Sequence, residues 1–315
     1  MKLNALSNYN GDKDTRFGDC IVLYDNYSMI IYDCGHTKHF EKVKELLYSY
    51  TTITNICIII SHNDSDHTSG VVDLLGWLND FDKYTVQIYS HQYLKHVDEI
   101  LNKIDDGRRN RESLKKSLLE EFDNIKTIIE TALDYGFEAI EALKGIKFHG
   151  CEIVGPTKEE FVEVAAKAVD NRESNTIGTG EAEETVMNAA SVQLKCILDD
   201  TQSIILCGDA SPDYLFNLED YDIIQLPHHG QLESAKSIFE KIEDSYSKKY
   251  LVSDNTGSGK TSGGSDDLIA YMKDEKYTEA YNTKNGIIEL PRNVNSDTNR
   301  SNMQRRGYLG VLDSF

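Results

Sequence analysis

The 315-residue chain contains no run approaching the ~18 consecutive apolar residues that a membrane-spanning helix needs. Its opening segment, MKLNALSNYNGDKD, lacks the apolar stretch of a secretory leader. A cytoplasmic protein that engages no membrane is therefore expected. C-x-x-C pairs are absent. The six cysteines are Cys20, Cys34, Cys57, Cys151, Cys196 and Cys207. Five of them sit in or beside apolar, strand-like runs, which reads as reduced, buried thiols. Positive charge is scarce: 33 Lys and Arg stand against 53 Asp and Glu, a formal net charge of −20. Such a surface repels polyanions at long range and argues against broad binding to duplex DNA, which needs Lys and Arg on the phosphates. No internal repeat is present. The length suits one large α/β domain carrying insertions, with a core that needs no staples.

Short apolar, β-rich runs bounded by Gly, Asp, Asn or Pro predict strands at Cys20–Tyr24, Met29–Tyr32, Ile56–Ile60, Val86–Tyr89, Glu152–Val154, Val192–Leu198, Ile204–Cys207, Ile223–Leu226, Tyr250–Ser253 and Ile287–Leu290. Helical periodicity falls between several of them, in FEKVKELLYSY, VVDLLGWLND and SAKSIFEKIEDSY. Strands mixed with helices predict layered sheets with covering helices. From Gln92 to about Leu143 the pattern is almost wholly helical, with Leu114, Leu118, Ile125, Ile128, Ile129 and Leu133 at helical spacing. This reads as a helical insertion (about 92–145) with a solvated basic tip at Arg108, Arg109 and Arg111. Its apolar stripe is expected to pack across a site mouth or to form a homodimer. Residues 292–315 read as a polar C-terminal extension.

The chemistry gathers at strand ends. The run IIISHNDSDHTSG ends an apolar strand in H-x-D-x-D-H: His62, Asp64, Asp66 and His67. Residues two apart at a strand end point the same way, and a tight turn brings the next His round to a second centre. Imidazole and carboxylate together suit Zn, Mn or Fe. Other strands end in Asp33 (MIIYDCGH), Asp209 (SIILCGDAS) and the pair His228–His229 (DIIQLPHHGQ), each with a Gly within two residues, before Asp209 and after the others. A single Asp-Gly or His-Gly turn means little, but the set points to a metal site.

The text FGDCIVL, YDCG, SHNDSDHTSGV, NAASVQL, IILCGDA, LPHHG and TKNGIIEL resembles the metallo-β-lactamase superfamily. Within it the closest likeness is to the ComEC-like branch, which includes the phosphorylcholine esterases. The resemblance spans about residues 3–291 and leaves out the insertion and the tail. It implies an αββα sandwich with a helical insertion, a hydrolase domain over 1–291, and two divalent ions, Zn first and Mn or Fe as alternatives. It places His62 and Asp64 on one ion, Asp66, His67 and His229 on the second, and Asp209 between the two. Asp33 would orient a ligand histidine, and Asn188 stands about where a third ligand of the first ion is expected. His228 would face substrate phosphate as donor or general acid, so the catalytic residues expected are His228 and Asp66. His91 and His149 are expected to pack or to face solvent. GSGKTS lacks the first glycine of a phosphate loop, Asp254 standing there instead, so Lys260, Thr261 and Ser262 read as a solvated loop near the site. The implied activity is metal-dependent hydrolysis of a phosphodiester in a nucleotide or short nucleic acid. A carbonyl hydrolase acting on a lactone, thioester or β-lactam is the alternative, and a non-catalytic metal-binding regulatory module is the third.

Overall fold

The structure, a computed structural model, describes residues 1–7, 17–104, 110–173, 186–199, 201–255, 264–278 and 280–292. The first half of the chain runs β1 (Lys2–Ala5), β2 (Ile21–Tyr24), β3 (Ser28–Tyr32), α1 (Thr37–Ser49), β4 (Asn55–Ile59), α2 (Ser65–Thr68), α3 (Val71–Asn79), β5 (Thr85–Ser90), α4 (Val97–Ile104), α5 (Arg111–Glu121), α6 (Asp123–Asp134) and β6 (Glu138–Glu141). The second half runs β7 (Lys147–Phe148), β8 (Cys151–Gly155), α7 (Lys158–Glu173), β9 (Gln193–Leu198), β10 (Gln202–Leu206), β11 (Ile223–Gln225), α8 (Leu232–Glu240), β12 (Lys249–Val252), α9 (Asp266–Asp274), β13 (Tyr281–Asn282) and β14 (Ile288–Leu290).

Two sheets form, ordered β14-β1-β2-β3-β4-β5-β6 and β13-β12-β11-β10-β9-β8-β7. Each is mixed: β3 to β6 and β10 to β13 run parallel, and the remaining pairs are antiparallel. The central strands are apolar at nearly every position because both of their faces are covered. The period of two sorts their side chains. Met29, Ile31, Ile56 and Ile58 pack with the helices α1, α3 and α7, while Ile30, Tyr32, Cys57 and Ile59 meet the other sheet. In the second sheet Ile204, Leu206, Ile223 and Leu251 face the first sheet, and Ile205, Ile224, Tyr250 and Val252 pack under α8 and α9. The layer order is helix, sheet, sheet, helix, the αββα sandwich that the resemblance implies. All ten strands read from the sequence are present within a residue or two. No helix among the described residues is long and apolar enough to cross a membrane.

Two expectations change. The stretch after α6 is not helical. Gly136, at φ +76°, ends the helix, and Glu138–Glu141 pairs in parallel with β5 at the sheet edge. The insertion therefore returns to the sheet. Its stripe is covered within the chain: Leu114, Leu118, Ile125 and Ile128 are buried with α4 and α7, and Leu133 is exposed. A partner subunit is not needed to cover it. Second, the cysteines are not all reduced. Cys151 and Cys196 face each other in the β8–β9 register, with Cα atoms 4.4 Å apart, and form a disulfide. That separation is within reach of a bridge, and only the strand register brings together two residues 45 apart in sequence. Cys20, Cys34, Cys57 and Cys207 are buried free thiols. The basic residues Arg108 and Arg109, the loop residues Lys260, Thr261 and Ser262, and the tail from 293 lie outside the described residues.

Candidate metal centre

The carboxyl ends of β3, β4, β10 and β11 meet along one edge of the sandwich, where ligands of α/β sheets ordinarily sit. They deliver Asp33, His62, Asp209 and His228–His229 respectively. The turn after β4 enters α2, whose first residues supply Asp66 and His67. Asp64 stands at the N-cap of α2 without making a capping bond, and its carboxylate lies 3.7 Å from His62 Nε2 instead. Two glycines make this turn fit. A Cβ on Gly18 or Gly35 would fall 1.6 or 1.9 Å from the Asp66 carbonyl oxygen. Asp33, His228 and His229 all take left-handed backbone conformations (φ 60°, 54° and 55°), which non-glycine residues adopt at a cost.

Three buried imidazoles converge on one carboxylate oxygen. Asp209 Oδ2 lies 3.9 Å from His62 Nε2, 3.5 Å from His67 Nε2 and 3.8 Å from His229 Nε2. His229 Nε2 is also 3.3 Å from Asp66 Oδ2. None of the three Nε2 atoms has a hydrogen-bond partner among the described residues, although all are buried, and Asp209 Oδ1 shares that condition. Buried polar atoms left in this state call for an explanation. Donor atoms around a tetrahedral Zn at bonds of about 2.0–2.1 Å lie roughly 3.3 Å apart, close to the separations found here. The groups His62, His67, Asp209 and Asp66, His67, His229 could each hold a metal ion. The residues therefore fit divalent metal by donor type, burial and convergence.

The opposite nitrogen of each ring is anchored. His67 Nδ1 donates to Asp33 Oδ2 at 2.8 Å, and Asp33 Oδ1 accepts the Ser61 amide at 2.7 Å. His62 Nδ1 meets Ser61 Oγ at 2.9 Å and Ser191 Oγ at 3.2 Å. The Ser191 hydroxyl proton is committed to Asn188 O at 2.8 Å, so His62 Nδ1 is the donor toward it. His229 Nδ1 lies 2.9 Å from Asp19 Oδ1 and 3.0 Å from Ser253 O. Anchoring Nδ1 leaves Nε2 as the basic nitrogen turned inward, the tautomer a metal requires.

Asp19 was not singled out as a site residue from the sequence. It is fully buried, and its second oxygen accepts the Gln225 amide at 2.7 Å. Asn255 was missed as well; its amide donates to Asp66 Oδ2 at 2.8 Å. The signal for Asp19 was its place in FGDC, directly before an apolar strand, but a Gly-Asp turn reads the same way. Asn188 is buried with its amide 3.4 Å from Asp209 Oδ2. His228 is half-buried, and its ring is 6.2 Å from that of His229 and nearly perpendicular to it, so the two rings do not share one centre. His91 is buried rather than solvent-facing, stacked on Phe161 at 4.3 Å with Nε2 donating to Ala190 O. His149 is exposed and meets Ser28 Oγ at 3.0 Å.

The electrostatics follow from this packing. Burial works to raise Asp209, but His229, His67 and His62 overcome it and hold the carboxyl well below its usual range. Burial works to lower His67 and His229, yet Asp209 with Asp33, and Asp209 with Asp19, hold them well above the ordinary imidazole value. Asp64 and Asp66 are likewise held low by the neighbouring histidines against the opposing effect of burial.

No family model and no curated protein matches this chain. Among solved structures it is similar to the metallo-β-lactamase fold protein YhfI from Bacillus subtilis. The identity is 12% and the TM-score 0.39, over 79% of this chain and 84% of that one. It is also similar to a putative metallo-β-lactamase from Thermotoga maritima, with 10% identity and a TM-score of 0.34, over 66% of this chain and 76% of the other.

Proposed function

We propose that the chain is a metal-dependent hydrolase of phosphodiesters in nucleotides or short nucleic acids. The observation that carries the metal reading is the convergence of three buried, unbonded Nε2 atoms on Asp209, each ring held from behind through Nδ1. His62 and Asp64 would hold one divalent ion, Asp66, His67 and His229 a second, and Asp209 would serve both. Zn is the first expectation, with Mn or Fe as alternatives. Bound ions of this kind supply Lewis acidity and activate water at neutral pH.

The chain's own groups do the rest. Asp33 and Asp19 fix the rings of His67 and His229, and Asn255 fixes the Asp66 carboxylate. The sandwich edge keeps these groups out of bulk water. His228, half-buried beside the centre, orients a phosphate oxygen and passes an imidazole proton to the departing oxygen. An acidic chain favours short or cyclic substrates over long duplexes.

The reading is tested with metal-loaded protein on bis(p-nitrophenyl) phosphate and on a chromogenic lactone. Cleavage of the phosphodiester, abolished by a chelator and restored by metal, is expected. Turnover of the lactone alone would make it a carbonyl hydrolase. Tight metal binding with turnover of neither, nor of a nucleotide panel, would make it a binding module.

A further inference from the structure

We infer that the elbow between α5 and α6 is a positioning device for the His62–Asp64 half of the centre. The inference rests on the metal reading above and deepens it. Asn63 sits in the chain between His62 and Asp64 and is buried. Its amide nitrogen donates to the backbone carbonyl of Glu121, the last residue of α5, at 2.7 Å. In return, Asn124 in the first turn of α6 donates its amide to the Asn63 carbonyl at 2.9 Å. Both acceptors are carbonyl oxygens, so both side-chain amides are fixed in orientation, since a flip would set oxygen against oxygen. The backbone that carries two candidate ligands is thus clasped from both sides by the inserted helices.

A second route from the same elbow reaches the same histidine. Phe122, between α5 and α6, meets Phe161 of α7 edge-on at 6.0 Å. Phe161 stacks on His91, which donates to Ala190 O, and the next residue, Ser191, contacts His62 Nδ1. Among the described residues, no hydrogen bond runs from the inserted helices to Asp66, His67 or His229. His67 and His229 are held by Asp33, Asp19 and Ser253 from the two sheets. The half with the thinner ligand set is the one tied to the insertion.

The test uses the full chain with ring-15N-labelled histidine and follows the His62 and His229 imidazole signals during Zn titration. Asn124 is exposed, so Asn124→Ala removes the donor at little risk to folding. The expected result is that His62 responds at a Zn concentration roughly 3–10-fold higher, the worth of one hydrogen bond. His229 should titrate as in the parent. Asn124→Gln, which keeps an amide, should recover part of the shift. An unchanged His62 response in Asn124→Ala overturns the inference, and so does an equal shift of both signals, which marks a merely structural role. A parent protein in which His229 responds and His62 does not also overturns it. If neither ring responds in the parent, the metal reading itself fails and takes this inference with it.

Discussion

His229 Nδ1 lies 2.9 Å from Asp19 Oδ1 and donates to Ser253 O at 3.0 Å, and these two contacts together turn His229 Nε2 toward Asp66 and Asp209. Asp33 does the same for His67. Groups behind ligand histidines commonly tune metal affinity 10–100-fold. Asp19→Asn should therefore weaken Zn binding by about that factor while leaving the circular dichroism spectrum unchanged. Equilibrium dialysis against a Zn buffer checks it, and unchanged affinity would reduce Asp19 to a packing residue.

Metal binding should release protons. Without metal, burial works to lower His67 and His229, but Asp209 with Asp33, and Asp209 with Asp19, hold them well above the ordinary imidazole value of 6.5, which favours the doubly protonated ring at neutral pH. A metal ligand must be unprotonated. Calorimetric Zn titrations at pH 7 in buffers of different ionisation enthalpy should show net proton release. A heat independent of the buffer would contradict the protonation states described.

Stability of the metal-free chain should fall on both sides of about pH 6.5. Burial lowers His91 to about 4 and His39 to about 3 from 6.5; at His39 the Asp19 carboxylate offsets part of this while His36 and Lys42 add to it. A base lowered in the fold contributes stability above its unfolded value, and this is lost as pH falls through 6.5 toward 4, at about 1.4 kcal/mol per unit of displacement. His67 and His229 are raised, so their contribution is full below 6.5 and is lost as pH rises through their folded values. Urea melts from pH 4 to 9 measure the profile. His91→Gln should flatten the acid limb only, and saturating Zn should remove the alkaline one.

His228 and His229 should separate by function. Their rings are nearly perpendicular, and only His229 Nε2 points at Asp66 and Asp209. His229→Ala should lose metal and activity together. His228→Ala should keep its metal and lose turnover by roughly 10²–10⁴-fold, with a smaller loss on a nitrophenyl ester whose leaving group needs no proton. Metal analysis with kinetics on both variants decides; the reverse pattern would exchange the roles.

How much of this was legible before folding depends on sequence distance. The strands from Met29, Ile56, Ile204 and Ile223 announced themselves because a doubly covered strand must be apolar throughout. The residues at their ends were legible for the same reason: a strand that stops in His or Asp has few structural uses for them. What the pattern did not carry was pairing across the fold. Asp19 looks like a turn residue until β2 and β3 bring it behind His229. Cys151 and Cys196 look like two buried thiols until β8 and β9 set them in register. Glu138–Glu141 has helical composition, and the edge of β5 made it a strand.

Three buried imidazoles and Asp209 are proposed to form a divalent metal centre. The centre is tested most directly by metal analysis of chelator-stripped protein after equilibration with Zn, beside Asp209→Ala. The prediction is at least one tightly bound Zn in the parent, bound in two unequal classes if two ions enter, with the weaker class on His62 and Asp64. Asp209→Ala should lose the tight class while remaining folded. A parent chain that retains no Zn, or an Asp209→Ala variant that binds as much as the parent, would contradict the claim.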